Sequence, residues 1–461
     1  METRKEIDPL GERAIPKNAY FGIQTLRATE NFPVSGLKEP VELIKAYVLI
    51  KKAAATANLQ VGWLDETLAK AIIAACNEVL ADKLIDQFVV DVFQAGAGTS
   101  FNMNVNEVLA NRALEILGKQ KGEYKVVGPN DHVNMAQSTN DTFPTALHVS
   151  VLIALQPLFR ALDELTSAFE ELGKKNVHVL KSGRTHLQDA VPVTVGQEFS
   201  AYSSAIANAC NELKRRQENL YAVALGGTAT GTGANTHVNY KKIAIAELSK
   251  LTGFPLRPAK NNFEALQSYR AAQTVSSGLK ELALELVRIA NDLRLLASGP
   301  TTGINEITLP PVQPGSSIMP GKVNPVMAEC LNMVAFQVVG NDLATSLAVQ
   351  AGQMELNVMT PTIAYNMLFS IQILANYIPV FTAKCVKGIR VDEKRCEQYL
   401  EKNPALATLL APKIGYLEAA KIAKQAQTEN RTVKEVVLEK GLLKPEEIEK
   451  IFSRKNLLNE Q

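Results

Sequence analysis

The stretch AKNNFEALQSYRAAQTVSSGLKELALELVRIANDLRLLASG, residues 259–299, contains no proline and has Gly278 as its only interior glycine. Its large aliphatic residues recur at intervals that keep them on the faces of a helix. They include Leu279, Leu282, Leu284, Leu286, Ile289, Leu293 and Leu296. We predict one very long helix over this stretch. Because its apolar residues lie on more than one side, we expect this helix to be buried against several neighbours.

Three more stretches have few prolines and are long enough for helices of the same kind. They are residues 146–175, kinked at Pro157, residues 193–254, divided by the glycine-rich segment 225–233, and residues 326–360. Helices longer than about 25 residues are typical of coiled coils or long bundles. Since heptad regularity is weak here, the pattern favours a broad bundle. The sequence therefore predicts an all-α fold, and the excess of apolar helix surface predicts an oligomer.

The chain of 461 residues exceeds the usual single-domain core, and its helical pattern changes twice. Before about residue 138 prolines are frequent and helical runs are shorter. After about residue 394 the composition becomes charged, with short helical runs at 433–440 and 445–452. We predict an N-terminal domain (1–137), a central long-helix bundle (138–393) and a small C-terminal helical domain (394–461).

Composition excludes several classes of partner. A formal net charge of +2 without a dense basic run argues against nucleic acid. The N-terminus lacks a signal peptide, and no uninterrupted apolar run approaches the roughly 20 residues that span a bilayer. We expect a cytoplasmic protein with no membrane partner. Five scattered cysteines fit reduced thiols, and five histidines without ligand spacing predict no metal site.

Residues 315–325, Gly-Ser-Ser-Ile-Met-Pro-Gly-Lys-Val-Asn-Pro, hold more potential chemistry than any comparable stretch. The glycines and prolines predict a shaped loop, which can direct backbone N–H groups at an anion. Lys322 adds a charge, and Ser316 or Ser317 supplies a hydroxyl. A surface turn with incidental serines is the alternative. Five residues separate Gly315 from the Gly-Lys pair, so the spacing is not that of a phosphate-binding P-loop.

Three other polar clusters couple hydroxyls to amides or titratable groups. They are residues 96–104 (GAGTSFNMN), 134–141 (NMAQSTND) and 183–189 (GRTHLQD), each expected beside an apolar helix. Taken singly, each is more often a helix cap or a turn. Together with the lysine loop they would form a pocket rich in neutral donors with one or two cations. Such a pocket suits a small, highly polar anion.

These four segments, in their order and spacing, resemble the signature segments of the aspartase/fumarase superfamily of lyases, and the resemblance covers nearly the whole chain. It implies an all-helical subunit of three domains and a homotetramer whose central helices form one large bundle. It also implies active sites that draw on three subunits. No cofactor is required by the family reaction, and activation by a divalent ion stays open.

The resemblance implies a role for each polar residue. Ser316 would be the general base, acting as an alkoxide in a loop whose N–H groups hold developing charge. The residues expected at the carboxylate beside the acidic carbon are Thr99, Ser138 and Thr139. Those expected at the other carboxylate are Lys322, Asn324 and Thr185, with Ser317 as a further substrate contact. Those expected near the leaving group are His186, oriented by Glu329, and Asn140.

The family reaction removes a proton next to one carboxylate and expels a group from the neighbouring carbon, giving fumarate. Residues 98–100, 303–307 and 352–359 resemble the aspartase branch, whereas residues 225–229 and 140–145 are closer to fumarases. Weighing the segments around the site most, we predict reversible deamination of L-aspartate to fumarate and ammonia through an aci-carboxylate intermediate. Fumarate hydratase is the alternative. A non-catalytic dicarboxylate-binding protein is a third hypothesis, which the joint presence of the polar site residues argues against.

Overall fold

A computed structural model describes residues 2–458 of the chain. Most of them are helical, as predicted for an all-α fold. The α-helices are α1 (Ile23–Asn31), α2 (Val41–Gln60), α3 (Glu66–Leu80), α4 (Thr99–Ile116), α5 (Thr139–Lys175), α6 (Val195–Arg216), α7 (Tyr240–Thr252), α8 (Asn262–Gln267), α9 (Arg270–Leu296), α10 (Val326–Gln350), α11 (Thr360–Lys384), α12 (Glu393–Lys402), α13 (Ala411–Ile414), α14 (Tyr416–Thr428), α15 (Val433–Glu439), α16 (Pro445–Ile451) and α17 (Arg454–Leu457).

The strands of the described residues form two-stranded sheets. The pairs are β1 (Thr3–Asp8) with β2 (Gly11–Pro16), β3 (Leu180–Thr185) with β4 (Gln188–Thr194), β5 (Ala222–Val223) with β6 (Arg257–Pro258), and β7 (Ile307–Thr308) with β8 (Arg390–Val391). All pairs except β5 with β6 are antiparallel. None of these strands was predicted from the sequence. One, the β3–β4 hairpin, carries site residues.

The predicted helix over residues 259–299 is interrupted near its start. α8 ends at Gln267 and α9 begins at Arg270. Between them Tyr269 has a φ of 46°, in the left-handed region that a continuing α-helix cannot contain. The prediction of a single helix is therefore wrong for the first turns and confirmed for Arg270–Leu296.

The other long helices lie where the proline spacing placed them. α5 contains Pro157 as expected, but it begins earlier, at Thr139. α6 and α7 are separated by the glycine-rich segment 225–233, and α10 fills most of residues 326–360. Hydrogen bonds join neighbouring long helices: Tyr202 of α6 donates to Asp292 of α9, and Asn341 of α10 donates to Ser370 of α11.

Contacts divide the chain into two compact units, each built from three separate segments. The first unit comprises the chain up to Phe159, Asn211–Ala283 and Phe336–Ala375. The second comprises Arg160–Cys210, Leu284–Ala335 and the chain from Asn376 onward. The three domains predicted from the sequence remain a prediction.

Within the second unit, the C-terminal helices enclose a small apolar core. α15 and α16 occupy nearly the residues predicted for them. Thr432 begins α15 with a capping box, in which its hydroxyl accepts from the Glu435 N–H and the Glu435 carboxylate accepts from the Thr432 N–H. The buried side chains of this core include Leu406, Leu410, Ile422, Val436, Val437 and Ile448.

Two helical stretches, Thr139–Lys175 and Thr360–Gly388, are long and apolar enough to cross a membrane by length and composition alone. In their most apolar windows, 72% and 50% of the residues are buried inside the protein. Core helices of ordinary globular proteins pass the same test. The absence of a membrane partner therefore stays a prediction.

Candidate active site

Thr99 is the first residue of α4, and a close packing contact fixes the turn before it. Gly98 has a φ of 80°, and a Cβ added there would lie 1.9 Å from the Phe143 ring of α5. Any side chain at position 98 would therefore push α4 away from α5. The Thr99 side chain itself is exposed.

The segment Ser138–Asn140 forms the start of α5. Ser138 Oγ accepts from the Asn140 N–H at 3.2 Å, and Asp141 Oδ1 accepts from the Ser138 N–H at 3.1 Å. Ser138 therefore caps the start of α5 through the N–H of its second residue, and Asp141 satisfies the Ser138 N–H in turn. The helix-cap interpretation is therefore right for Ser138. It does not compete with a binding role, since the Ser138 hydroxyl proton remains available to another acceptor.

Asp141 and Asn140 bind the glycine-rich segment to the start of α5. Asp141 Oδ2 accepts from the N–H groups of Gly226 and Thr228 at 2.9 and 2.8 Å. Burial raises the pKa of Asp141 to about 6, against the opposing effect of these N–H groups. Asn140 Nδ2 donates to the Ala229 carbonyl at 2.8 Å. A carbonyl only accepts, so this contact leaves Asn140 Oδ1 as the free end of the amide.

A cavity of about 160 Å³ lies beside Ser138. It is lined by Ala136, Gln137, Ser138, Thr228, Ala229, Ala234 and Asn235. A larger cavity of about 360 Å³, among His178, Glu393 and Phe452, contains none of the predicted site residues. We assign more weight to the smaller one, because Ser138 is a predicted site residue and the hydroxyl groups of Ser138 and Thr228 belong to its lining.

Thr185 and His186 lie at the tip of the β3–β4 hairpin, in which Leu180–Thr185 and Gln188–Thr194 pair as antiparallel strands. The alternative interpretation of this cluster as a turn is therefore right, and β4 leads directly into the helix α6. The two turn residues, His186 and Leu187, have φ of 55° and 59°. Positive φ at both positions is the pattern of a type I′ turn, which normally uses Asn or Gly. Such strain is typical of functional turns.

A buried ion network holds this hairpin. The side chain of Glu306 is only 1% exposed. Its carboxylate accepts hydrogen bonds from both terminal nitrogens of Arg184, at 3.0 and 2.7 Å. The same carboxylate lies 2.7 Å from Lys181 Nζ, and Lys181 also contacts Glu198 at 2.9 Å. Burial raises the pKa of Glu198, against the effect of Lys181. Arg184 directly precedes Thr185, so the network fixes the strand from which both tip residues extend.

The loop 315–325 forms neither helix nor strand, as predicted. Its ends are closed by the Gly315 N–H, which donates to the Lys322 carbonyl at 2.8 Å, and by Asn324 Nδ2, which donates to the Gly315 carbonyl at 2.6 Å. Ser316 Oγ accepts from the N–H groups of Ile318 and Met319 at 3.2 and 3.0 Å. Two backbone donors thus face the hydroxyl oxygen that the sequence analysis named as the base.

The remaining predicted residues of the second unit have exposed or half-buried side chains. Ser317, Lys322, Thr185 and His186 are exposed, whereas Asn324 and Glu329 are half-buried. The orientation of His186 by Glu329 stays a prediction.

The predicted residues are divided between the two compact units. Thr99, Ser138, Thr139 and Asn140 belong to the first unit, and Thr185, His186, Ser316, Ser317, Lys322, Asn324 and Glu329 belong to the second. Within residues 2–458, no group of three or more His, Cys, Asp or Glu side chains could hold a metal ion.

Three residues that hold these segments in place were given no role from the sequence. Asp141 follows the Ser-Thr-Asn segment directly, and Lys51 interrupts an otherwise apolar helix face. Each of these two residues is a charged side chain in a segment that has no clearly solvent-exposed side, and this could have drawn attention to it. Glu306 lies in the segment 303–307, which was noticed only for its resemblance, and nothing in the sequence indicated that it contacts Lys181 and Arg184.

Fold and site together are those of an all-helical lyase. A family model described as "Lyase" matches residues 11–340, and one described as "Fumarase C C-terminus" matches residues 406–459. The chain is 48% identical over 452 residues to an aspartate ammonia-lyase of a Bacillus species, covering 98% of this chain and 97% of that protein. It is 49% identical to the aspartate ammonia-lyase of Bacillus subtilis strain 168, with 98% and 95% covered.

Solved structures agree with these matches. A fumarate lyase:delta crystallin from Brucella melitensis superimposes with a TM-score of 0.95 at 48% identity, with 98% of both chains covered. A class II fumarase from Schistosoma mansoni superimposes with a TM-score of 0.96 at 36% identity over 100% of both chains. The chain belongs to the aspartase/fumarase superfamily of lyases. Its relatives further make it a carbon–nitrogen lyase, which confirms the predicted class of enzyme.

Proposed function

We propose that this enzyme deaminates L-aspartate reversibly to fumarate and ammonia, with Ser316 as the base. The relatives named aspartate ammonia-lyase, 47–49% identical over nearly the whole chain, support aspartate as the substrate. The geometry of the Ser316 loop is the single observation that carries the serine-base mechanism. No cofactor is part of this proposal.

Ser316 would act as an alkoxide that removes the proton from Cβ of aspartate. A serine hydroxyl is a weak acid, so its anion needs stabilisation before it can serve as a base. The two N–H groups of Ile318 and Met319 supply it, because hydrogen bonds to an oxygen are stronger when that oxygen carries charge. These donors already point at Ser316 Oγ in the folded loop. Little reorganisation is then required when the alkoxide forms.

The electrons of the broken C–H bond pass into the adjacent carboxylate, which becomes an aci-carboxylate dianion. Fixed hydroxyl donors from Thr99, Ser138 and Thr139 would hold that extra charge. When the electrons return, the Cα–Cβ double bond forms and the C–N bond breaks, and ammonia leaves with fumarate. Lys322, Asn324 and Thr185 would bind the second carboxylate, which takes no part in bond breaking, with Ser317 as a further contact.

The leaving ammonium offers three donors and no acceptor. Asn140 fits this group, because its Nδ2 is bound to the Ala229 carbonyl and its Oδ1 is left to accept. His186, as a neutral acceptor oriented by Glu329, would be the second partner. This arrangement favours an amine over a leaving group that must receive a proton from the protein.

A homotetramer with shared sites is part of the same proposal. Exposed apolar residues form a stripe along α10 at helical spacing, and a surface of this kind favours association. They are Met333 (62% exposed), Phe336 (59%), Leu343 (63%) and Leu347 (55%). Helices from several subunits would cover this stripe and complete each active site. Cytoplasmic localisation likewise remains a proposal from the sequence.

Aspartate and malate distinguish this function from that of a fumarate hydratase. We expect purified enzyme to produce fumarate from L-aspartate, followed by ultraviolet absorbance, and to consume fumarate only when ammonium is present. L-Malate should give no fumarate and act at most as a weak competitive inhibitor. Ready dehydration of malate without any reaction of aspartate would show that the enzyme is a hydratase. Titration without turnover of either compound would indicate a binding protein.

Replacement of Lys322 tests the charge that faces the substrate. Lys322→Ala should raise the KM for aspartate about tenfold to a hundredfold, with a smaller fall in kcat, because a charged hydrogen bond to a carboxylate is lost. Lys322→Arg should recover part of the loss, since the charge returns in a different geometry. Lys260→Ala, at another exposed lysine, is the control for general surface charge. An unchanged KM in Lys322→Ala would remove this lysine from the binding site.

A further inference from the structure

Lys51 lies on α2 with none of its surface exposed. Its Nζ is 2.8 Å from Asn102 Oδ1, 2.9 Å from Asn134 Oδ1 and 3.0 Å from Gln137 Oε1. All three partners are neutral amides, although a buried ammonium is normally paired with a carboxylate. Burial lowers the pKa of Lys51 to about 7, against the effect of nearby Asp141. No step of the proposed reaction uses this lysine.

The donor character of Lys51 decides how the three amides are oriented. The oxygens of all three amides face Lys51 Nζ, which donates to them, so each amide turns its NH₂ group away from the lysine. The NH₂ groups of Asn134 and Gln137 donate to backbone carbonyls of their own loop. Asn102 differs from them, because its Nδ2 is 2.9 Å from Thr139 Oγ1.

The chain of contacts also fixes the hydroxyl of Thr139. Since Asn102 presents an NH₂ group, Thr139 Oγ1 must accept from it, and the hydroxyl proton is left for another acceptor. Thr139 is 8% exposed and Asn102 is 2% exposed. Water therefore has little access to replace the hydrogen bond between them. A carboxylate only accepts hydrogen bonds, and a hydroxyl fixed as a donor matches it.

We propose that Lys51 and Asn102 are positioning residues that hold the Thr139 hydroxyl as a hydrogen-bond donor toward the substrate carboxylate. The inference rests on the proposed function for the identity of that carboxylate. It also separates Thr139 from Asn140, whose free amide oxygen is an acceptor. Two adjacent residues would thus present opposite polarities, one to the carboxylate and one to the ammonium.

Asn102→Asp reverses the polarity without changing the shape. The oxygen that replaces Nδ2 can only accept, so Thr139 must donate to it and its proton turns away from the substrate. Lys51 gains a carboxylate partner at the same time, which favours retention of the fold. We expect the KM for aspartate to rise about tenfold or more, because each 1.4 kcal/mol corresponds to about a factor of ten. Succinate lacks the amine, and its dissociation constant should rise by the same factor.

A double-mutant cycle separates this role from a structural one. Thr139→Val removes the hydroxyl and should weaken succinate binding about as much as Asn102→Asp does. In an enzyme that already carries Thr139→Val, Asn102→Asp should weaken succinate binding little further, because no hydroxyl remains whose proton could be redirected. Thr139→Ser keeps the hydroxyl and should bind succinate nearly as the unchanged enzyme does. A structural defect would give additive losses instead.

Asn104→Asp is the matched control. Asn104 is fully buried on the same helix, and its partners lie outside the Lys51 network: Nδ2 donates to the Gln87 carbonyl at 3.0 Å, and Oδ1 accepts from the Val89 N–H at 2.9 Å. This variant introduces a carboxylate nearby and should leave succinate binding within about twofold. A loss as large as that of Asn102→Asp would mean that any buried carboxylate disturbs the site, and would overturn the proposal.

Binding calorimetry with succinate and the full-length enzyme requires no turnover, so it keeps this test apart from the proposed function. If the unchanged enzyme fails to deaminate aspartate but the succinate cycle is non-additive, the positioning role stands and the substrate assignment fails. If Asn102→Asp is folded and binds succinate normally, the positioning role is wrong. Should that variant not fold, unchanged succinate binding in Thr139→Val would also overturn it.

Discussion

Ser316→Ala should lower kcat for aspartate about 10²- to 10⁴-fold while the enzyme stays folded. The variant removes the proposed base and leaves backbone donors without the oxygen whose negative charge they stabilise. Ser316 lies in a loop without helix or strand and is half-buried, so the fold loses little. The N–H groups of Ile318 and Met319 can bind water instead. The measurement is the initial rate of fumarate formation at saturating aspartate, with circular dichroism as the check on folding.

The adjacent hydroxyl provides the comparison for that variant. Ser317→Ala removes an exposed side chain proposed to contact substrate but not to move a proton. It should change KM more than kcat, whereas Ser316→Ala should change kcat much more than KM. Near-normal kcat in Ser316→Ala would exclude this serine as the base. A large fall of kcat in Ser317→Ala alone would transfer the role to the neighbouring hydroxyl.

The helical part of the fold was predictable because proline and glycine positions limit where long helices can run. The interruption at Tyr269 was not predictable, since no glycine or proline marks it and tyrosine rarely adopts a positive φ. The β3–β4 hairpin was missed for a similar reason. Its turn residues are His186 and Leu187, whereas asparagine and glycine are the residues that usually signal a two-residue turn. Both failures lie where the backbone is strained.

The site was predictable at the level of residue types and less so at the level of contacts. The hydroxyls and amides of the four segments could be read directly, because their chemistry is local. The groups that orient them come from distant parts of the chain: Lys51 contacts Asn102, and Glu306 contacts Arg184, 122 residues away in sequence. A single sequence shows the spacing of apolar residues along each helix, but it does not show which buried charged side chains contact each other.

Glu306→Ala should destabilise the enzyme by about 3–5 kcal/mol, because removal of one member of a buried ion pair leaves its partners uncompensated. Lys181 would keep only Glu198, and Arg184 would lose both of its carboxylate contacts. Glu198→Ala is the matched control. It removes a less buried carboxylate and leaves both cations bound to Glu306, so a loss of only about 1 kcal/mol is expected. Urea unfolding at one fixed protomer concentration measures both variants.

Because Arg184 holds the strand that ends at Thr185 and leads into the turn at His186, the same variant should act on catalysis as well as on stability. The turn at His186 and Leu187 is strained, and it persists only while the surrounding contacts enforce it. In Glu306→Ala we therefore expect faster hydrogen exchange at the hairpin amides and a lower kcat/KM for aspartate in the molecules that remain folded. Glu198→Ala should leave the hairpin protected. If Glu306→Ala unfolds like the unchanged enzyme and its hairpin exchanges at the same rate, the ion network does not hold the turn. Other contacts of the hairpin, such as those of Asn403 with Ser182 and Ala190, would then maintain the strain at His186.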